Sequence, residues 1–238
     1  MINCTYQWIS SFAPSGSVIE SINEKDILNG TLDSKQSLLV IPSGRCGVYA
    51  SSIGKQGAAK ILNYIHKGGA YIGICAGAYY ASRNIVYGGE RRDCGIGLID
   101  CAAIGPLSEL APVLENVPYD FINTVGVSSG PDEEFTALYH SGCSFTKVSK
   151  EVQILASYSK VRSPSAIQSY YGKGSVVLIG THPDLTPEYL LRNSRFFKGE
   201  VEDHLEKCAK KLSDTNNIKL SSELSRTLFR KVANDKSI

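Results

Sequence analysis

The chain has 238 residues, 42% of them hydrophobic and 20% charged, a mixture that suits one large α/β domain with a sizeable core. A net charge of +2 is too mild to argue for a nucleic-acid or membrane partner. No window approaches ~18 consecutive apolar residues, and Met1–Trp8 lacks the basic and apolar regions of a secretory signal, so a soluble cytoplasmic protein is expected. Residues 1–238 read as a single domain, beginning its clear pattern at Ser37–Ile41, a short apolar run ending in Pro42-Ser43-Gly44. Such runs are buried strands of a parallel sheet. Gly57–His66 carries Ala58, Ile61, Leu62 and Ile65 at helical spacing, closed by Lys67-Gly68-Gly69, glycine being the usual residue just past a helix. Ala70–Ile74 is a second buried strand, Cys75 stands at its end, and Ala76–Arg83 predicts the next helix.

Strand, turn, helix, strand, turn, helix is the pattern of a doubly wound parallel sheet with flanking helices. From about Asn84 to Thr146 helix signals thin out, and short antiparallel strands and loops are expected there as a small insertion on one edge of the sheet. Val152–Tyr158 predicts a strand. Ala166–Tyr171, Gly172-Lys173-Gly174 and Ser175–Gly180 predict a hairpin, whose second strand delivers Thr181-His182-Pro183-Asp184. Helical patterns over Pro187–Phe197, Glu200–Leu212 and Ser221–Val232 end the chain, the charge-dense tail from about residue 200 to 238 reading as a solvated or partner-docking layer.

The seven cysteines are odd in number, irregularly spaced and without a CxxC pair, which argues against a disulfide framework and a structural zinc site. No metal or cofactor is expected. Most of the cysteines read as small buried hydrophobes. Cys75 differs because Gly73-Ile74-Cys75-Ala76-Gly77 has the G-x-C-x-G form, the thiol version of the nucleophile elbow. The glycines remove Cβ atoms from a sharp strand-to-helix turn. The following helix aims its positive end at the sulfur, favouring a thiolate and offering N–H groups to an oxyanion. A thiol nucleophile is served by an imidazole, and the imidazole by a carboxylate. His182 and Asp184 follow a core strand and reach the same carboxyl edge of a parallel sheet as Cys75. Of the other histidines, His66 and His204 read as helix-surface residues, and His140 as a loop residue that is a weaker rival. Cys46 is a conceivable redox neighbour of Cys75. The Pro42-Ser43-Gly44 turn reaches that edge too, and the N–H groups of Gly44 and Ala76 are the candidate oxyanion hole.

These pieces, in this order, resemble the class I glutamine amidotransferase superfamily, with its flavodoxin-like fold, glycine-rich turn, elbow cysteine and late His-Pro-Glu, here His182-Pro183-Asp184. Within it the chain is similar to the N-terminal domain of eukaryotic-type biotin-protein ligases. Leu39–Gly44 with Tyr49, Gly68–Tyr80, Tyr139-His140-Ser141-Gly142 with Phe145, and Gly172-Lys173-Gly174 running on to His182-Pro183 carry that likeness, which spans about Ile22 to Leu191. The resemblance implies Cys75, His182 and Asp184 as catalytic residues, with Ser43, Tyr79, Tyr80 and His140 at the substrate. Tyr79 stands where glutaminases carry Gln, Ser43 where the turn has Gly, and Cys46 where an acidic residue is common. The stretch before Leu38 is short for the family's two strands and a helix, so the first strand-helix unit is expected shortened or absent. The Gly-Arg-rich adenylate loop of biotin ligase catalytic domains does not occur, and the chain is expected not to biotinylate alone.

Two functions stay open. One is a thiol hydrolase or amidotransferase-like enzyme acting on a small carboxamide or acyl substrate, with a protein partner or ammonia acceptor possible. The other is a non-catalytic binding or regulatory domain that keeps the elbow as scaffold. A peptidase or glyoxalase-like thiol enzyme is disfavoured, because that branch places His directly after the elbow cysteine and this chain has Ala76.

Overall fold

Apolar runs become strands and amphipathic runs helices in a mixed order along the chain. The computed structural model describes residues 2–33, 38–111, 122–130 and 133–233. Its elements begin with α1 (Ile2–Phe12), α2 (Glu24–Leu28), β1 (Leu38–Ile41), α3 (Cys46–His66), β2 (Ala70–Ile74), α4 (Ala76–Ala81), β3 (Ser82–Tyr87), β4 (Glu90–Arg92) and β5 (Ile99–Gly105). They continue with β6 (Ile122–Gly130), β7 (Glu133–His140), β8 (Ser144–Thr146), β9 (Gln153–Tyr158), β10 (Pro164–Tyr171) and β11 (Gly174–Ile179). The last three are α5 (Pro187–Ser194), α6 (Glu200–Leu212) and α7 (Thr215–Ala233).

The main sheet has the order β1-β2-β11-β10-β9-β6-β7. β1, β2 and β11 are parallel, and β10, β9, β6 and β7 extend the sheet antiparallel. β2 and β11 are buried at every position, as strands covered on both faces are. Their alternate side chains part to opposite faces. Tyr71, Val176 and Leu178 join Ile61 and Ile65 of α3, while Ile72, Ile74, Val177 and Ile179 join Trp8 of α1 and Leu228 and Phe229 of α7. Trp8 seals that second layer, its ring 4.9 Å from Phe229 and its indole N–H donated to Ser225 Oγ at 3.1 Å. α5 and α6 close a third apolar cluster against β6 and β7.

The α/β class and the parallel strands, which lie at the β1 end of the sheet, agree with the sequence, and several elements differ from it. The helix after Cys75 stops at Ala81 because Ser82 turns to an extended backbone (φ −74, ψ 152). Its hydroxyl donates to the Ala78 carbonyl at 2.9 Å, and β3 starts there. The middle region does more than widen one edge. β6 and β7 do so, but β4-β3-β5-β8 form a separate four-stranded sheet in which β3 and β5 are parallel. α3 starts at Cys46, eleven residues ahead of the periodic stretch, with a break at Gly54 (φ 64, ψ 178). Before β1 the described residues hold no strand. They form α1, then α2, whose Asn23 and Asp26 make a reciprocal capping box. Ser37, the 112–121 and 131–132 portions of the insertion, and the tail beyond 233 lie outside the described residues.

The elbow is pressed against the end of β1. A Cβ at Gly77 would lie 2.0 Å from the Ile41 carbonyl oxygen, and one at Gly73 would lie 2.6 Å from the Gly77 carbonyl oxygen. Both obstacles are backbone, which cannot swing aside. Gly77→Ala is therefore expected to destabilise the protein by about 1–3 kcal/mol, read as a lower midpoint in urea unfolding. An alanine at Gly47, where nothing lies within 4 Å, is the matched control and is expected to have little effect.

Candidate active site

The carboxyl ends of β2 and β11 lie side by side, and each leads into a residue the sequence marks for chemistry, Cys75 directly after β2 and His182 three residues past β11. Cys75 takes φ 50, ψ −103 between β2 and α4, the strained left-handed backbone that a nucleophile elbow imposes on a non-glycine residue. Its N–H donates to the Ile179 carbonyl at 2.8 Å, tying the elbow to β11. Three residues further on, the His182 N–H donates to Leu138 O at 2.8 Å, which docks the turn after β11 onto β7.

His140 closes β7 rather than lying in a loop, and its main chain meets both side chains. The His140 carbonyl oxygen is 3.0 Å from His182 Nε2 and 3.6 Å from Cys75 Sγ, with the Ser141 carbonyl 4.0 Å from the same sulfur. On the far side of the ring, His182 Nδ1 is 3.7 Å from Asp184 Oδ1, an ionic contact too long for a hydrogen bond. The other carboxylate oxygen, Oδ2, accepts from the Thr5 hydroxyl of α1 at 2.6 Å. Cys75, His182 and Asp184 are 7%, 2% and 0% exposed, so water screens none of these charges effectively.

Burial alone would make the His182 ring less basic. Negative charge on Cys75 and interaction with Asp184 and with the sulfur reverse this, raising its pKa from 6.5 to about 10. The His140 ring, 5.8 Å away centre to centre, shifts the other way. Burial, then the neighbouring positive His182, lowers it to about 4. At neutral pH the site thus holds a charged imidazole beside an uncharged one.

The turn that presents the His140 carbonyl is held by phenols. Tyr139 and Tyr79 both donate to the Gly142 carbonyl, at 2.9 and 3.0 Å, and Tyr158 donates to the Cys143 carbonyl at 2.9 Å. Tyr139 is fixed in turn by the Leu107 N–H, which donates to its oxygen at 2.6 Å. Tyr79, expected at the substrate, is thus buried and spends its hydroxyl on this turn. Tyr80, expected beside it, packs edge-on to Tyr49 in the α3-side cluster with its hydroxyl buried and unpartnered, whereas Cys75 belongs to the opposite cluster. Ser43 and Gly44 follow β1 in a turn braced by Tyr49, whose hydroxyl lies 3.1 Å from the Pro42 carbonyl and 3.0 Å from the Ser43 carbonyl. Ala76 opens α4, so its N–H has no acceptor within the helix.

Two sequence readings change here. His204 is half-buried rather than on the surface, its Nε2 2.9 Å from the Ile122 carbonyl. Cys46 Sγ donates to the Cys94 carbonyl at 3.6 Å, while the Cys75 sulfur faces His140 and Ser141. Sequence reasoning missed Thr5, which is 179 positions from its acceptor, and the hydroxyls of Tyr139 and Tyr158. Only Tyr139 carried a signal, inside the quoted Tyr139–Gly142 segment. Among the described residues no group of three or more His, Cys, Asp or Glu side chains could hold a metal ion, and no helix is long and apolar enough to cross a membrane.

Comparison with known proteins agrees with this geometry at the level of family and fold. A family model described as "Biotin-protein ligase, N terminal" matches residues 2–96 and 120–233. An uncharacterized protein of Chlamydia muridarum is 31% identical over 205 residues, covering 78% of this chain and 75% of that protein. A biotin–protein ligase of Schizosaccharomyces pombe is 31% identical over 166 residues, which are 64% of this chain but 26% of the ligase. A glutamine amidotransferase crystal structure superposes with a TM-score of 0.55 at 18% identity, covering 85% of this chain and 94% of the other, a likeness of fold.

Two outcomes are expected from the site's electrostatics. In imidazole NMR titrations His140 stays neutral down to about pH 4 and His182 stays protonated past pH 8, their pKa values being about 4 and about 10. Cys75→Ser removes the negative partner and drops the His182 titration. Because His140 is less basic folded than unfolded, its contribution to stability is intact above its ordinary pKa of 6.5 and is lost as pH falls towards 4. Thr5→Val leaves Asp184 Oδ2 without this donor and is expected to cost about 1–3 kcal/mol in denaturant unfolding, with Thr5→Ser recovering most of the loss.

Proposed function

The chain belongs to the biotin-protein ligase N-terminal family, and on that premise we propose that it is a glutamine-amidotransferase-like thiol hydrolase that opens a carboxamide or related acyl substrate. The observation that carries this reading is Cys75, held at φ 50 on the strand-to-helix turn with the buried His182 ring adjoining its sulfur. In the proposed reaction the Cys75 thiolate attacks the carbonyl carbon. The N–H groups of Gly44 and Ala76 receive the charge that develops on the oxygen. His182, charged at neutral pH, gives its proton to the departing amine, and a thioester to Cys75 remains. Neutral His182 then takes a proton from water, which attacks the thioester and releases the acid. Asp184 steadies the ring whenever it is charged, and Thr5 steadies Asp184. The released ammonia or amine goes to solvent or to a partner acceptor.

The substrate is a small molecule in this reading. Tyr79 occupies the place of the glutamine-pocket Gln and commits its hydroxyl to the Gly142 carbonyl. The acyl group is therefore expected to differ from glutamine.

A second reading, a non-catalytic binding or regulatory domain, has its own support. His182 Nε2 is already engaged by the His140 carbonyl at 3.0 Å, which is the nitrogen a general base would use, and the sulfur is nearly covered.

One measurement separates the two. The rate of Cys75 alkylation by iodoacetamide, followed by peptide mass spectrometry against pH beside the other cysteines, is expected to be high below pH 7. His182→Ala is expected to slow it at that pH by about 10-fold or more, because the imidazole that adjoins the sulfur is lost. A Cys75 no faster than its neighbours, and indifferent to His182→Ala, would leave the binding domain. A fast, His182-dependent Cys75 directs the search to amide substrates, scored by ammonia release and by its loss in Cys75→Ala.

A further inference from the structure

Cys46 and Cys94 are 48 positions apart in sequence and adjoin in space. Cys46 opens α3, two residues past Gly44, and its thiol donates to the Cys94 carbonyl at 3.6 Å. Cys94 lies in the segment between β4 and β5. Both side chains pack on the margin of the α3-side apolar cluster and both are half-buried. Cys75, Cys101, Cys143 and Cys208 are buried, and Cys4, also half-buried, packs against the separate cluster of α5 and α6. The Cys46–Cys94 pair therefore joins two properties that no other two described cysteines share: adjacency and access.

Their environments differ in a way that assigns roles. The Cys46 thiol is a hydrogen-bond donor to its neighbour, and this, with burial, makes it harder to ionise. The Cys94 sulfur interacts with that thiol and is easier to ionise than an ordinary cysteine, with burial and Asp93 opposing the effect and Arg92 adding to it. Cys94, easier to ionise and half-buried beside Cys46, is the thiol that meets an oxidant, and Cys46 adjoins it to resolve what forms.

We propose that Cys46 and Cys94 form a reversible disulfide by exchange with small-molecule disulfides of the glutathione class. The Cys94 thiolate attacks one sulfur of the oxidant, a mixed disulfide forms, and the other half leaves as a thiolate. That thiolate, or solvent, takes the Cys46 proton. Cys46 Sγ then attacks the Cys94 sulfur, and the second half of the oxidant leaves. The two protein thiols have lost two electrons and two protons, and the oxidant has become two thiols. The product ties the first turn of α3, and with it the Ser43–Gly44 turn just ahead, to the segment leading into β5. Neither cysteine takes part in the hydrolysis proposed above, so this exchange stands independently of it.

The test uses the intact chain equilibrated in glutathione buffers of rising oxidised fraction, quenched in acid, alkylated and mapped by mass spectrometry. A cross-linked peptide pair containing Cys46 and Cys94 is expected, two hydrogens lighter than the separate thiols and reversed by dithiothreitol. Cys46→Ser is expected to leave Cys94 as a glutathione adduct, and Cys94→Ser to abolish the cross-link without transferring glutathione to Cys46. Wild-type protein in which both cysteines stay as thiols in the most oxidising buffer, carry separate adducts, or pair with other cysteines such as Cys75 would overturn the proposal. That outcome is read on the unmodified sequence and does not depend on either variant folding.

Discussion

A positive charge on a ring as buried as His182 persists only where acceptors and negative groups replace the water it has lost. They arrive from parts of the chain far apart in sequence. β2 brings the Cys75 sulfur, β7 ends on the His140 carbonyl, and the turn after β11 contributes Asp184. Each group is then secured by another. The Thr5 hydroxyl holds the Asp184 carboxylate, and the Tyr79 and Tyr139 hydroxyls hold the turn that presents the His140 carbonyl. The His140 ring answers the same charge in the opposite sense, because a second buried imidazolium beside the first would face repulsion as well as desolvation.

The elbow and the two core strands were legible because their signal is local. Gly73 and Gly77 are required by contacts within a few residues of Cys75 or with the neighbouring strand end, and uninterrupted apolar runs at Ala70–Ile74 and Ser175–Ile179 follow from burial on both faces. His182 and Asp184 were legible because a strand end fixes which edge a residue reaches. What stayed hidden depends on tertiary pairing. Ser82–Tyr87 reads as the continuation of a helix until β5 is known to lie beside it. Thr5 has no local pattern that points to a carboxylate 179 positions away. Tyr79 looked like a pocket residue because of its place after the elbow, yet its hydroxyl belongs to the turn at Gly142.

Among the described residues no strand precedes β1, and this has a structural consequence for the site. The sheet's β1 edge starts at Leu38–Ile41, and one face of its parallel strands is covered by α1 and α7, the two ends of the described chain. Trp8 is pinned to α7 through Ser225 and Phe229, and Thr5, one turn earlier on α1, is thereby held at Asp184. The charge-dense C-terminal helix is therefore part of the scaffold that orients the carboxylate, through α1, and not only a solvated layer. Disturbing the α1–α7 contact should be felt at His182 without any change in the residues that touch it, which is the expected behaviour of coupling carried by a packed, hydrogen-bonded chain of elements.

The same economy of contacts holds at Tyr79. Its long side chain, four residues past Cys75, ends on a backbone carbonyl that Tyr139 also holds. Two phenols on one carbonyl oxygen leave little freedom to the turn, and the turn's neighbouring carbonyl is the one that accepts from His182. Tyr79 therefore bears on the His182 ring through the backbone of that turn rather than through the sulfur itself.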